Sequence, residues 1–206
     1  MPTPKKSIKT NLSNDIDFIY EIGTLRYIQR TWRQFLNPDF QNLAEHHLRV
    51  IWIALILAER ENIKDKEKVM KLALVHDIAE SRTGDVNYLQ RQYVERLEEK
   101  GIIDMLTQTS LETEFMTLWK EYEKRESVES KIVKDADNLD VDFELMEQLS
   151  RGHDLGKKWG EARRHVAETK LYTKSAKAIW QALMESHPHD WHRKSNNRLN
   201  AGDWKK

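Results

Sequence analysis

Residues 76 and 77 are His-Asp, and they close an apolar helical run, LALVHD, with Glu80, Gly84 and Asp85 directly behind. Groups that prefer water at the end of such a run mark either a helix end reaching the surface or a metal site. The dipeptide alone specifies neither, because His-Asp recurs at 153–154 and 189–190. What else converges on it matters more. His46 and His47 stand in AEHHLRV, ahead of another apolar run, where packing and ligation are both open readings. Asp137 in IVKDADNLD falls on an apolar stripe, with Val133 and Ala136 as its neighbours. A carboxylate there must be paired, protonated or bound to a cation, since an unpaired buried charge is costly. Asp135 and Asp140 are expected to face solvent. Histidines and aspartates from three helices suit a divalent cation with positions left open for water and substrate. Glu80 comes three residues after Asp77, about one helical turn, where a carboxylate could take a proton from an attacking water.

The elements that must hold these groups are helical. Seven glycines and four prolines are few for 206 residues, and no segment alternates with period two. Apolar spacing predicts helices over 14–28, 43–60 after Asn42, and 66–77 after Asp65 as N-cap. Gly84 breaks the pattern. Residues 91–100 read as a charged amphipathic helix closed by Gly101. Ser110 and Ser127 open two more, RGHDLG reads as a turn, and 157–185 gives one or two further helices. Trp52, Trp119, Trp159 and Trp180 are expected in the core. No repeat or linker divides the chain, so the expectation is one all-α domain over 14–186. An N-terminal extension of 1–13 and a polar tail of 187–206 flank it, and the tail histidines 187, 189 and 192 are expected to be plain surface.

Composition narrows the functions. With 34 basic and 34 acidic residues the formal charge is zero, which gives no footprint for a nucleic-acid polymer or an anionic membrane. The absence of cysteine removes thiolate chemistry and Cys-ligated zinc. The longest apolar run, Val50 to Ala58, is too short to span a bilayer, and the N-terminus lacks a secretory pattern. A soluble cytoplasmic protein is expected.

The order H…HD…D resembles the HD-domain metal-dependent phosphohydrolases, and more narrowly their YfbR-like 5′-deoxyribonucleotidase branch. EH at 45–46 matches that branch and selects His46 over His47. HDIAESRTGD supplies His76, Asp77, Glu80 and Asp85, and VKDAD ends in Asp137. QRTW matches a basic-aromatic stretch with Arg30 and Trp32, with Thr31 interposed, and KEYE matches a glutamate-aromatic pair with Glu121. The resemblance covers roughly 20–150.

It implies an HD-domain helical bundle with one divalent metal held by His46, His76, Asp77 and Asp137. Mn, Co, Ni, Zn or Fe would suit, and Mg is within range. A single ion is favoured because no histidine stands between 78 and 136. It further implies that metal-activated water removes the 5′-phosphate of (deoxy)nucleoside monophosphates, with little regard for the base. Glu80 and Asp85 would be catalytic, and Arg30, Trp32 and Glu121 would bind substrate. A homodimer formed by helices outside 43–77 is expected. Competing readings are an HD enzyme acting on pyrophosphorylated or cyclic nucleotides, a metal-dependent oxygenase, and a catalytically silent metal-binding interaction domain.

Overall fold

The computed structural model describes residues 10–36 and 39–193. Residues 1–9 and 194–206, most of the expected extension and tail, lie outside the described residues.

Helix α1 (Leu12–Gly23) runs into a 3-10 turn at Thr24–Tyr27. A second 3-10 turn at Thr31–Gln34 leads to α2 (Leu43–Arg60). The start of α2 is fixed by a reciprocal cap. The Glu45 N–H donates to Asn42 Oδ1 at 3.0 Å, and the Asn42 N–H donates to Glu45 Oε2 at 2.9 Å. The 14–28 expectation thus holds as a helix ending at Gly23, and 43–60 holds at both ends.

Asp65 accepts the Lys68 N–H and caps α3 (Lys66–Val75). Then come the one-turn α4 (Glu80–Thr83), α5 (Glu98–Leu106), α6 (Glu112–Lys124) and the long α7 (Val128–Ser150), which Ser127 caps. The expected helix over 91–100 is misplaced. Residues 90–92 form a 3-10 turn, and Gly101 lies buried inside α5 rather than closing a helix. RGHDLG is a turn only in its first part, since α8 (Leu155–Lys158) begins within it. Two helices, α9 (Gly160–Thr169) and α10 (Lys174–Met184), follow, and α11 (Asp190–Arg193) ends the described chain.

The core lies where α7 runs along α2 and α3, with Val50, Leu57, Leu72, Ile132 and Leu139 fully buried between them. Burial of such side chains contributes roughly 1.5–3 kcal/mol each. This packing sets the three site-bearing helices rigidly against one another. Of the tryptophans expected inside, Trp119 is buried and Trp159 and Trp180 are half-buried. Trp52 is 61% exposed, in a stripe with Leu48 and Ile56 on the outward side of α2. No described helix is long and apolar enough to cross a membrane.

Candidate metal centre and substrate cavity

His46 comes from the first turn of α2, His76 caps the C-terminus of α3, Asp77 follows it, and Asp137 sits on α7. One donor atom from each lies within 4.8 Å of every other. The Nε2 atoms of the two histidines face each other at 3.3 Å, and His46 Nε2 is 3.4 Å from Asp137 Oδ1. Asp77 Oδ2 is 3.3 Å from His76 Nε2 and 3.6 Å from His46 Nε2.

The outer ring nitrogens decide which atoms are free. His76 Nδ1 donates to the Ala73 carbonyl at 2.8 Å, and His46 Nδ1 donates to Asp140 Oδ2 at 2.6 Å. Both Nε2 lone pairs therefore point inward at two carboxylates. Apart from Arg30 Nη1, 3.8 Å from Asp77 Oδ2, the inward-facing atoms are acceptors, a set that a divalent cation satisfies. The residues fit the metal. His47 sits behind, buried, its ring 4.5 Å from that of His76.

Electrostatics agree with charged aspartates. Burial opposes ionisation of Asp77, but His76, His46 and Arg30 hold it well below the usual carboxylate range. Burial also opposes Asp137, which Lys134 and the two histidines keep low. Glu80 behaves oppositely. Burial raises it well above the ordinary value, and Asp77 and Asp85 add to the shift. Its Oε1 meets Arg96 at 3.0 Å, while Oε2 has no partner.

The cluster opens onto a cavity of about 350 Å³ that Arg30, Trp32, Glu80 and Asp85 also line. That is a volume suited to a small organic ligand. Gly84 adopts φ +74°, which L side chains rarely adopt, and the chain turns there from Glu80 to Asp85. Arg30 is positioned by the short bridge between Gln29 and Asn42, ahead of α2. Its Nη1 lies 3.8 Å from Asp77 and its Nε 3.4 Å from Asp85.

The structure thus brings together eight of the nine expected site residues. The ninth, Glu121, is turned away. It pairs with Lys68 at 2.7 Å and is not part of the cavity wall, to which Tyr122 and Glu123 contribute instead.

Two aspartates expected in solvent are fully buried. Asp135 accepts the Tyr172 and Thr173 N–H groups and pins α10 to α7. Asp140 holds His46. The C-terminal helices also reach the site without any signal in the sequence. Trp159 packs edge-on against Trp32 at 4.8 Å, and Arg163 lines the cavity while bonded to Asp142. Arg125, at a left-handed φ of 54°, lays its guanidinium 3.2 Å over the Tyr122 ring at the cavity wall.

A family model for the HD domain matches residues 22–183, which include every residue of the metal cluster and the cavity wall. The chain belongs to the HD-domain phosphohydrolases. This HD-domain protein is 32% identical over 138 residues to the 5′-deoxynucleotidase HDDC2 of Danio rerio, covering 63% of this chain and 67% of that one. It is 30% identical over 159 residues to the 5′-deoxynucleotidase HDDC2 of Dictyostelium discoideum, covering 71% and 84%. Among solved structures it superposes on a conserved hypothetical protein from Pyrococcus furiosus with a TM-score of 0.70 at 25% identity, covering 83% of this chain and 99% of that chain.

Proposed function

We propose that this HD-domain phosphohydrolase removes the 5′-phosphate from (deoxy)nucleoside monophosphates. The observation that carries the reading is the single convergent donor set of His46, His76, Asp77 and Asp137 at the edge of a cavity that Arg30 also lines. The 5′-deoxynucleotidase relatives supply the substrate class.

When bound, a divalent cation neutralises phosphoryl charge and acidifies a nearby water. Arg30 presents its guanidinium to the phosphate, a geometry that suits its planar fork. Glu80 holds a carboxyl whose pKa burial raises above the usual carboxylate range, which makes it a stronger base for proton exchange. It takes the proton of the attacking water as the new P–O bond forms. The P–O5′ bond breaks, and the leaving oxygen takes up that proton, returned from Glu80 directly or through solvent, to give the nucleoside. Asp85 orients Arg30 and the sugar side, and Trp32 offers an apolar wall. Contacts on phosphate and sugar leave the base with little influence.

The cation is one of Mn, Co, Ni, Zn or Fe, with Mg also in range. The enzyme works in the cytoplasm as a homodimer that uses helices outside 43–77, where α1 exposes Leu12, Ile16 and Ile19. Light scattering at micromolar concentration tests the dimer, and a monomer would reject it. Phosphate release from a panel of nucleotides, with each cation added separately, tests the activity. Hydrolysis confined to pyrophosphate or cyclic bonds would overturn it.

A further inference from the structure

One turn separates Asp137 from Asp140 on α7, and the two carboxylates lie at opposite nitrogens of the same imidazole. Asp137 Oδ1 lies 3.4 Å from His46 Nε2, and Asp140 Oδ2 lies 2.6 Å from His46 Nδ1. Asp140 has no solvent exposure, and every partner it has is a donor. Its Oδ2 also accepts from Gln41 Nε2 at 2.6 Å, and its Oδ1 accepts from Arg49 Nε at 2.5 Å. The orientation of Gln41 is not free, because its Oε1 accepts from Arg49 Nη2 at 2.9 Å. Arg49 is held in turn by Glu144 at 2.6 Å and Glu147 at 2.8 Å.

We infer that Asp140, braced by Arg49 and Gln41, is a positioning residue that fixes the proton of His46 on Nδ1 and so keeps its Nε2 lone pair aimed at the metal. The inference rests on the metal centre of the proposed function. An ionised carboxylate is the one side chain of this size that accepts on both oxygens. An asparagine would turn an NH₂ group toward either Arg49 or His46. Facing Arg49, it sets donor against donor. Facing His46, it draws the ring proton to Nε2 and closes the lone pair that a cation needs. Neither Asp140 nor Arg49 lines the substrate cavity, so their effect reaches the reaction through His46 alone.

The test titrates the metal-free full chain with Co²⁺, whose visible absorption reports its ligands. Asp140→Asn should weaken Co²⁺ binding 10- to 100-fold, the usual scale for a partner that orients a metal-ligating histidine. Arg49→Met should weaken it less. The double variant should be no worse than Asp140→Asn, because both substitutions act along one path. Excess Co²⁺ should restore turnover of Asp140→Asn with the wild-type KM, which a merely structural lesion would not do.

Wild-type affinity in Asp140→Asn, or effects that add in the double variant, would overturn the inference and leave the metal centre standing. Wild-type protein that binds no Co²⁺ would overturn the metal centre and this inference with it. Should Asp140→Asn lose its helical circular dichroism, Arg49→Met decides, since that side chain is a quarter exposed. Unchanged Co²⁺ affinity there would reject the relay.

Discussion

Arg30 Nε lies 3.4 Å from Asp85 Oδ2, and the N–H of the next residue, Thr31, donates to that same oxygen at 3.0 Å. The residue interposed between Arg30 and Trp32 thus has its own work, tying the 3-10 turn to the loop that follows Gly84. Asp85 holds Arg30 in place while the guanidinium faces the cavity.

Arg30→Ala should therefore raise KM for a nucleoside monophosphate by about 10- to 100-fold, the scale of a lost charged hydrogen bond. Stoichiometric metal should remain. Steady-state kinetics beside metal analysis check this, and an unchanged KM would remove Arg30 from substrate binding.

Glu80→Gln keeps the length of the side chain and an oxygen for Arg96, but not the basic oxygen. Turnover should fall by roughly 10²-fold while metal stays bound. The pH profile carries the sign. The base works ionised, so activity should be lost as pH falls through a Glu80 pKa that burial has raised above the usual carboxylate range. Glu80→Gln should flatten that acid limb, and a limb left in place would assign it to another group.

Trp159 supports Trp32 from a helix pair that follows the motif-bearing region, and Phe35 and Tyr88 complete the aromatic cluster. Trp159→Leu should cost about 1 kcal/mol of stability or more. It should also raise KM several-fold by loosening Trp32, with metal affinity unchanged. Denaturant melts and kinetics on one preparation check both, and a KM that stays fixed would confine Trp159 to packing.

Cation binding to the native state alone should stabilise it, by about 2.7 kcal/mol at a hundred times Kd. His76→Ala and Asp77→Ala should keep their helical circular dichroism and lose this gain in Tm. His47→Ala should lose much less of it, since the His47 ring packs tilted behind His76, outside the four converging donors. An equal loss at His47 would reverse the choice between the adjacent histidines.

The convergence of His46, His76, Asp77 and Asp137 was legible because their spacing placed them at helix ends and on an apolar stripe. Asp140 was not. Reading α7 as a helix with one wet side assigned it to solvent, yet α2, α3 and α10 cover the helix on several sides. Of the acidic groups around Arg49, Asp140 and Glu144 are buried and Glu147 lies at the surface edge. Trp52 failed in the opposite direction, because a nine-residue apolar run on α2 exceeds the face that the core covers. Glu121 misled because its neighbour Tyr122 takes the inward position and packs on His76 at 5.6 Å. Trp159 and Arg163 depend on how the C-terminal helices fold back, which no local pattern encodes.

Metal-dependent release of phosphate from 5′-deoxynucleoside monophosphates, compared between the wild-type chain and Asp77→Ala, tests the central claim most directly. The account predicts one phosphate per nucleoside formed, little dependence on the base, little action on triphosphates or nucleic acid, and no turnover in Asp77→Ala. A metal-loaded wild-type protein that leaves every monophosphate intact while cleaving a pyrophosphate or cyclic bond would contradict it.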